Sequence, residues 1–226
     1  RVLFRSKHIQ QNYNMIARDP LEGIYVSFES EDDLTSWIIW MEGPKDTPYE
    51  GGVFKLRMKF PADFPANPPS LYFLSEMWHP NVYPDGKVCI SILHPPVEDE
   101  MSGEYVAERW NPTQSVESIL LSVQSMLNDP NMYSPANTDA MVMCRDHHDQ
   151  YLKRCKEVSQ RGRASLPPNI VIPHPDTDMV QHKKQVSKIL GSSMDLTASM
   201  GFGDLDLDDN EEIEYDEDGN PIRSEE

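Results

Sequence analysis

Cysteine is the side chain that can attack an acyl thioester as a thiolate and later depart from one as a fair leaving group. The chain has three: Cys89, Cys144 and Cys155. Cys89 stands apart by its neighbours. His79-Pro80-Asn81 precedes it with seven residues between, a proline-rich stretch lies upstream, and Trp110-Asn111-Pro112 follows. A free cysteine is often no more than a small buried core residue, and the flanking pattern is what turns the reading toward a nucleophile able to carry an acyl group. An amine attacking such a thioester needs a donor for the carbonyl oxygen as charge develops there. It also needs a route for its proton, which a free lysine holds up to about pH 10.4. His79 and Pro80 read as structural, a buried hydrogen-bonding side chain and a rigid turn. A protease-type pairing of His79 with the thiol is the competing reading. The cysteines match no zinc-ligand spacing, and their odd, sparse number does not make a disulfide framework. No bound metal or cofactor is expected.

The elements that must position Cys89 follow from pattern. Ile9, Tyr13 and Ile16 recur at helical spacing within Lys7 to Arg18, and Asp19-Pro20 closes that helix. Runs rich in β-branched and aromatic residues at Ile24 to Phe28, Trp37 to Met41, Val53 to Phe60 and Leu71 to Leu74 predict four strands. The links between them are too short for crossover helices, so the sheet is an antiparallel meander. Met77 to Val88, with its Pro84-Asp85-Gly86 turn, reads as an ordered flap leading to Cys89. After Pro95-Pro96, the acidic stretch Glu98 to Glu108 reads as an exposed loop. Val116, Ile119, Leu120, Val123 and Leu127 predict a helix over Pro112 to Leu127, and more helix is expected from Asn137 to Arg161 with a break near His147-His148.

The catalytic unit is thus expected to span 7–161. A proline-rich linker over 162–178 and an extension over 179–222 follow. The extension begins with a brief basic amphipathic helix, Met179 to Leu190, and ends in an acidic tail that cannot fold alone. The strings Arg1 to Ser6 and Arg223 to Glu226 resemble translated sequencing adapter and are expected to be non-native.

Charge bounds the partners. The 226 residues carry a formal −18, and ten carboxylates with no basic residue fall between Asp204 and Asp218. Phosphate backbones and anionic membranes reward clustered Lys and Arg, so neither nucleic acid nor a membrane surface is the expected partner; a basic protein surface is. No run is apolar enough to cross a bilayer and no leader pattern opens the chain, so a reducing compartment, cytoplasm or nucleus, is expected.

His79-Pro80-Asn81 ahead of Cys89, preceded by Phe60-Pro61-x-x-Phe64-Pro65-x-x-Pro68-Pro69 and followed by Trp110-Asn111-Pro112, resembles the active-site region of the ubiquitin-conjugating enzymes. The resemblance covers roughly Lys7 to His148. The insertion from His94-Pro95-Pro96 to Glu108-Arg109-Trp110, with the acidic tail, resembles the acidic-loop class that works with cullin-RING ubiquitin ligases. It implies an α/β (α+β) fold with one helix before a four-stranded antiparallel sheet and helices after it. It also implies that Cys89 accepts ubiquitin from the activating enzyme, which spends the ATP upstream, and delivers it to a lysine of a protein substrate or of another ubiquitin, building chains. Two rivals are a catalytically silent ubiquitin-binding scaffold of the same fold and a conjugating enzyme for a ubiquitin-like modifier.

The resemblance also assigns residues. Asn81 matches the donor to the carbonyl oxygen, with a purely structural bond to the flap backbone as the alternative. Ser91 and Ser134 stand where many relatives carry aspartates, which moves the search for a proton acceptor to Glu98, Asp99, Glu100, Glu104 and Glu108. Donor ubiquitin would fold onto Ser118, Leu121, Ser122 and Ser125, which otherwise form a plain solvent stripe. A RING domain would meet the first helix and two loops through Phe64, Pro65, Ala66, Asn111 and Pro112. Ala66 replaces a common aromatic, so that contact is expected to be weak and the tail to compensate through Leu205, Leu207, Ile213 and Tyr215 among its carboxylates.

Overall fold

The computed structural model describes residues 2–97 and 104–174. Helix α1 (Val2–Arg18) leads into strands β1 (Ile24–Ser30), β2 (Asp33–Glu42), β3 (Val53–Lys59) and β4 (Ser70–Phe73), and α2 (Val116–Asn128), α3 (Thr138–Asp146) and α4 (His148–Ala164) follow. The strands lie in the order of the chain, each antiparallel to the next, as the short links require. Period-two alternation puts three rows of apolar side chains on one face: Ile24–Met41–Phe54, Val26–Ile39–Leu56–Phe73 and Phe28–Trp37–Met58–Leu71. Against the last row α1 packs Tyr13, stacked on Phe28 and edge-on to Trp37. The β1–β2 turn is tighter than the runs predicted, with Ser30 opposite Asp33 after a register shift past Phe28, and Ser36 and Arg57 both bond Glu29 beside it.

The helix boundaries differ from the sequence reading at three places. The first helix starts at Val2, so residues expected outside the fold lie within it, and Arg5 Nη2 donates to Phe60 O at 2.7 Å. The α2 helix starts at Val116, where Ser115 and Ser118 cap each other reciprocally; Pro112 sits in a separate turn built on the Asn111 side chain. At the other end α4 runs past Arg161 to Ala164. Gly162, a stop signal by type, lies inside that helix because the helix crosses β3 closely: a Cβ there would stand 2.6 Å from Val53 O. The break expected near His147-His148 falls at His147, between α3 and α4.

The proline-rich segment expected as a linker lies, over its described part, against the outer face of the sheet. Ile172 is buried there with Tyr25, Trp40 and Val53, and Leu166, Ile170 and Ile38 pack around them. Gly23 N donates to Pro173 O at 2.8 Å, and His174 Nε2 meets Glu42 Oε2 at 2.8 Å. The basic helix expected over Met179 to Leu190 and the acidic tail fall outside the described residues. Among the described residues no helix is long and apolar enough to cross a membrane.

Candidate active site

The flap is built around a buried histidine. His79 Nε2 donates to Met126 O on α2 at 2.9 Å, and Nδ1 accepts the N–H of Asn81 at 2.9 Å. One ring nitrogen must donate and the other accept, so the ring is neutral; burial agrees, pushing its pKa down to about 4. His79 is therefore a strut between α2 and the flap, and the pairing with Cys89 weighed above is not made. Pro80 continues that strut, its carbonyl accepting Ala136 N and Asn137 N at 2.8 and 2.9 Å.

Asn81 is itself buried and bonds Asn131 twice: Nδ2 donates to Asn131 O and Oδ1 accepts Asn131 N–H, both at 2.8 Å. Its carbonyl accepts Cys89 N at 3.0 Å, so one residue ties the 131–137 loop to the cysteine's backbone. The structural role expected as an alternative is thus present. The amide nitrogen carries a second N–H beyond the one given to Asn131. Ser134 sits on the exposed part of this loop, where Asn131 Oδ1 accepts its N–H at 3.4 Å.

Cys89 is half-buried at the end of the flap. Its Sγ lies 3.6 Å from His94 Nε2. On the other side of the ring, His94 Nδ1 stands 2.8 Å from both carboxylate oxygens of Glu104. Glu104 also accepts Ser91 Oγ at 3.1 Å and Arg109 Nη2 at 3.1 Å. Arg109, 7% exposed in its side chain, is anchored by donating Nη1 to Val97 O at 2.8 Å, and Trp110 N donates to His94 O. The hydrogen bond from His94 holds the Cys89 thiol below its usual range, against the opposing effect of burial and helped by a bond from Tyr83. His94 moves the other way, up to about 9, chiefly through its bond to Cys89 and then through Glu104. A thiol held low beside an imidazole that can take its proton is the arrangement that activates a cysteine nucleophile. The pair opens on a groove of about 230 Å³ walled by Pro68, Leu71, Tyr83, Lys87, Leu93 and Pro95. By contrast, burial raises the thiols of Cys144 and Cys155.

The other assigned residues divide by geometry. Of the five loop carboxylates Glu104 alone is placed against Cys89's surroundings among those described; Glu108 is exposed, and Glu98, Asp99 and Glu100 lie outside the described residues. On α2, Leu121 and Ser125 are exposed, whereas the Ser118 hydroxyl is committed to the cap and Ser122 Oγ donates to Ser118 O at 2.7 Å. Phe64, assigned to a partner, is buried against Phe60 and Trp110. Trp110 Nε1 donates to Pro65 O at 2.7 Å, joining the two loops so that Ala66, Asn111 and Pro112 are exposed on them. His94, Tyr83 and Arg109 were missed. The available signal for His94 was a histidine five residues past the cysteine, held in place by the Pro95-Pro96 that follows. Among the described residues no group of three or more His, Cys, Asp or Glu could hold a metal ion.

Comparison with known proteins meets this geometry. Residues 8–159 match the family model of the ubiquitin-conjugating enzymes. The chain is 48% identical over 156 residues to human ubiquitin-conjugating enzyme E2 G2, covering 69% of this chain and 94% of that relative. It is 44% identical over 158 residues to ubiquitin-conjugating enzyme E2 14 of Arabidopsis thaliana, covering 70% and 95% of the two chains. The fold, the flap and an activated thiol, with matches that run almost the full length of these relatives, lead to one conclusion: this chain belongs to the ubiquitin-conjugating enzymes.

Proposed function

We propose that Cys89 accepts ubiquitin from the activating enzyme as a thioester and passes it to a lysine of a protein substrate or of another ubiquitin. The observation that carries this is the half-exposed Sγ, 3.6 Å from His94 Nε2 on the wall of an open groove. A lowered thiol pKa favours the thiolate that attacks the incoming thioester, and the same property makes the sulfur a better leaving group when an amine attacks. No cofactor takes part at this site; ATP is consumed by the activating enzyme. The test is incubation with activating enzyme, ATP and ubiquitin. A reductant-sensitive adduct on a non-reducing gel is expected, absent in Cys89→Ala and replaced by a reductant-resistant ester in Cys89→Ser. Wild-type protein that is folded and stays uncharged would leave the silent scaffold as the reading.

The finer reading is a chain-building enzyme of the acidic-loop class, acting with a cullin-RING ligase in cytoplasm or nucleus. Two features support it: the acidic insertion that ends at Glu108, and the ten carboxylates of Asp204 to Asp218, suited to rapid steering onto a basic groove of a ligase. The exposed Ala66, Asn111 and Pro112 offer a ligase a contact without an aromatic anchor, which leaves affinity to the tail. Deleting Asp204 to Asp218 is expected to slow ligase-dependent chain formation at low salt, and raising salt to do the same to the intact chain. An unchanged rate at low salt rules the tail out.

A further inference from the structure

We propose that His94 is the proton acceptor for the attacking lysine amine, that Glu104 orients it, and that acylation of Cys89 is what sets it free. The proposal rests on the thioester reading above and adds the residue that completes the reaction.

Three observations carry it. His94 Nε2 points at the reacting sulfur from 3.6 Å, so a nucleophile approaching an acyl carbon bonded to that sulfur passes within a hydrogen bond of the ring. His94 Nδ1 is fixed by both oxygens of Glu104 at 2.8 Å, which leaves Nε2 as the nitrogen facing the groove. Glu104 is clamped in turn by Ser91 and by buried Arg109, so the carboxylate serves the imidazole and is not itself aimed at an incoming lysine. Nucleophile, ring and carboxylate thus stand in line, each orienting the next.

The steps balance. In the free enzyme the form that reacts is the one in which the Cys89 proton has passed to His94. Charging converts the thiolate to a neutral thioester sulfur and ends that pairing, and the ring gives its proton to solvent. An arriving lysine ammonium loses one proton to water and attacks as the amine. As the C–N bond forms, the second proton passes from nitrogen to His94 Nε2, the C–S bond breaks and Cys89 leaves as thiolate. The products are the isopeptide and the free Cys89–His94 pair, with the amine's proton now on the ring. Each turnover therefore resets the base.

The test is single-turnover discharge of pre-formed thioester onto free lysine as a function of pH, in wild type, His94→Gln and Glu104→Gln. Starting from thioester removes the charging rate from the comparison. The groups facing His94 are Cys89, which carries no charge once acylated, Tyr83 beside it, Lys87 on the groove wall, Glu104 at Nδ1, and Arg109 behind Glu104. Lysine ionisation affects every variant equally and cancels in the ratio of wild-type to H94Q rates. That ratio is expected to be near one at low pH, where the ring is protonated, and to rise to at least about tenfold above the ring's titration. In E104Q the midpoint of this rise is expected at lower pH, since the lost carboxylate favours the imidazolium. A positioning role alone would give the same ratio at every pH, and that result, or equal rates, overturns the proposal. Should H94Q form no thioester, the ratio of E104Q to wild-type discharge rates decides, since lysine ionisation cancels in it too: a ratio that does not change with pH overturns the proposal. Failure of wild type to charge at Cys89 would instead defeat the underlying thioester reading.

Discussion

Acid should loosen the flap through one residue. His79 is fully buried and neutral, with a pKa lowered from 6.5 to about 4 by burial. A histidine whose folded pKa is depressed favours the native state above its unfolded pKa and loses that contribution as pH falls toward the folded value. The difference of 2.5 units corresponds to about 3 kcal/mol in full. Integrated between about pH 7 and pH 4.5 it amounts to about 2 kcal/mol, against a typical total stability of about 5–15 kcal/mol. His79→Gln removes the titration while keeping an amide able to donate toward Met126 O. Urea unfolding of wild type and H79Q at several values in that pH range measures the difference. Carboxylate titrations occur in both proteins and cancel. The expected result is a wild-type advantage that shrinks by about 2 kcal/mol toward the acid end. A difference that stays constant with pH would refute a neutral, buried His79 as the flap's strut.

Alkylation of Cys89 at neutral pH should slow in His94→Gln, because the bond that holds the thiol low is lost; mass-spectrometric labelling checks this, with Cys144 and Cys155 as slow internal standards. Gly162→Ala, whose Cβ would stand 2.6 Å from Val53 O, should cost about 1–3 kcal/mol in chemical unfolding as α4 is pushed off β3. Ile172→Ala should cost about 2 kcal/mol and change Trp40 fluorescence, since both side chains share the cluster where the proline-rich segment meets the outer face of the sheet; an unchanged spectrum and midpoint would mean that segment is not seated in solution.

Much of this was legible because the signals were periodic. The rows of the sheet follow from alternation at Ile24, Val26 and Phe28 against Trp37, Ile39 and Met41, and α2 from the spacing of Val116 to Leu127. Cys89 and Asn81 were found by motif. What escaped was set by tertiary contact. His94 lies in a loop with no period, and reaches Cys89 because Arg109, buried fifteen positions on, gathers Glu104 and the Val97 carbonyl around it. The expected helix ends at Arg161, yet α4 runs on through Gly162, where the missing Cβ lets two backbones meet. The prolines beyond Leu166 read as a linker, but Ile170 and Ile172 between them find the outer face of the sheet. The resemblance assigns Phe64 to a partner, whereas its ring fills the space beside Trp110.

The central claim is that one sulfur carries the acyl group. After charging, an acid quench without reductant followed by peptide mapping by mass spectrometry should place the ubiquitin C-terminus on the Cys89 peptide alone, in a bond cleaved by hydroxylamine at neutral pH. A hydroxylamine-stable adduct on lysine as the first product, or charging that persists in Cys89→Ala, would contradict the account.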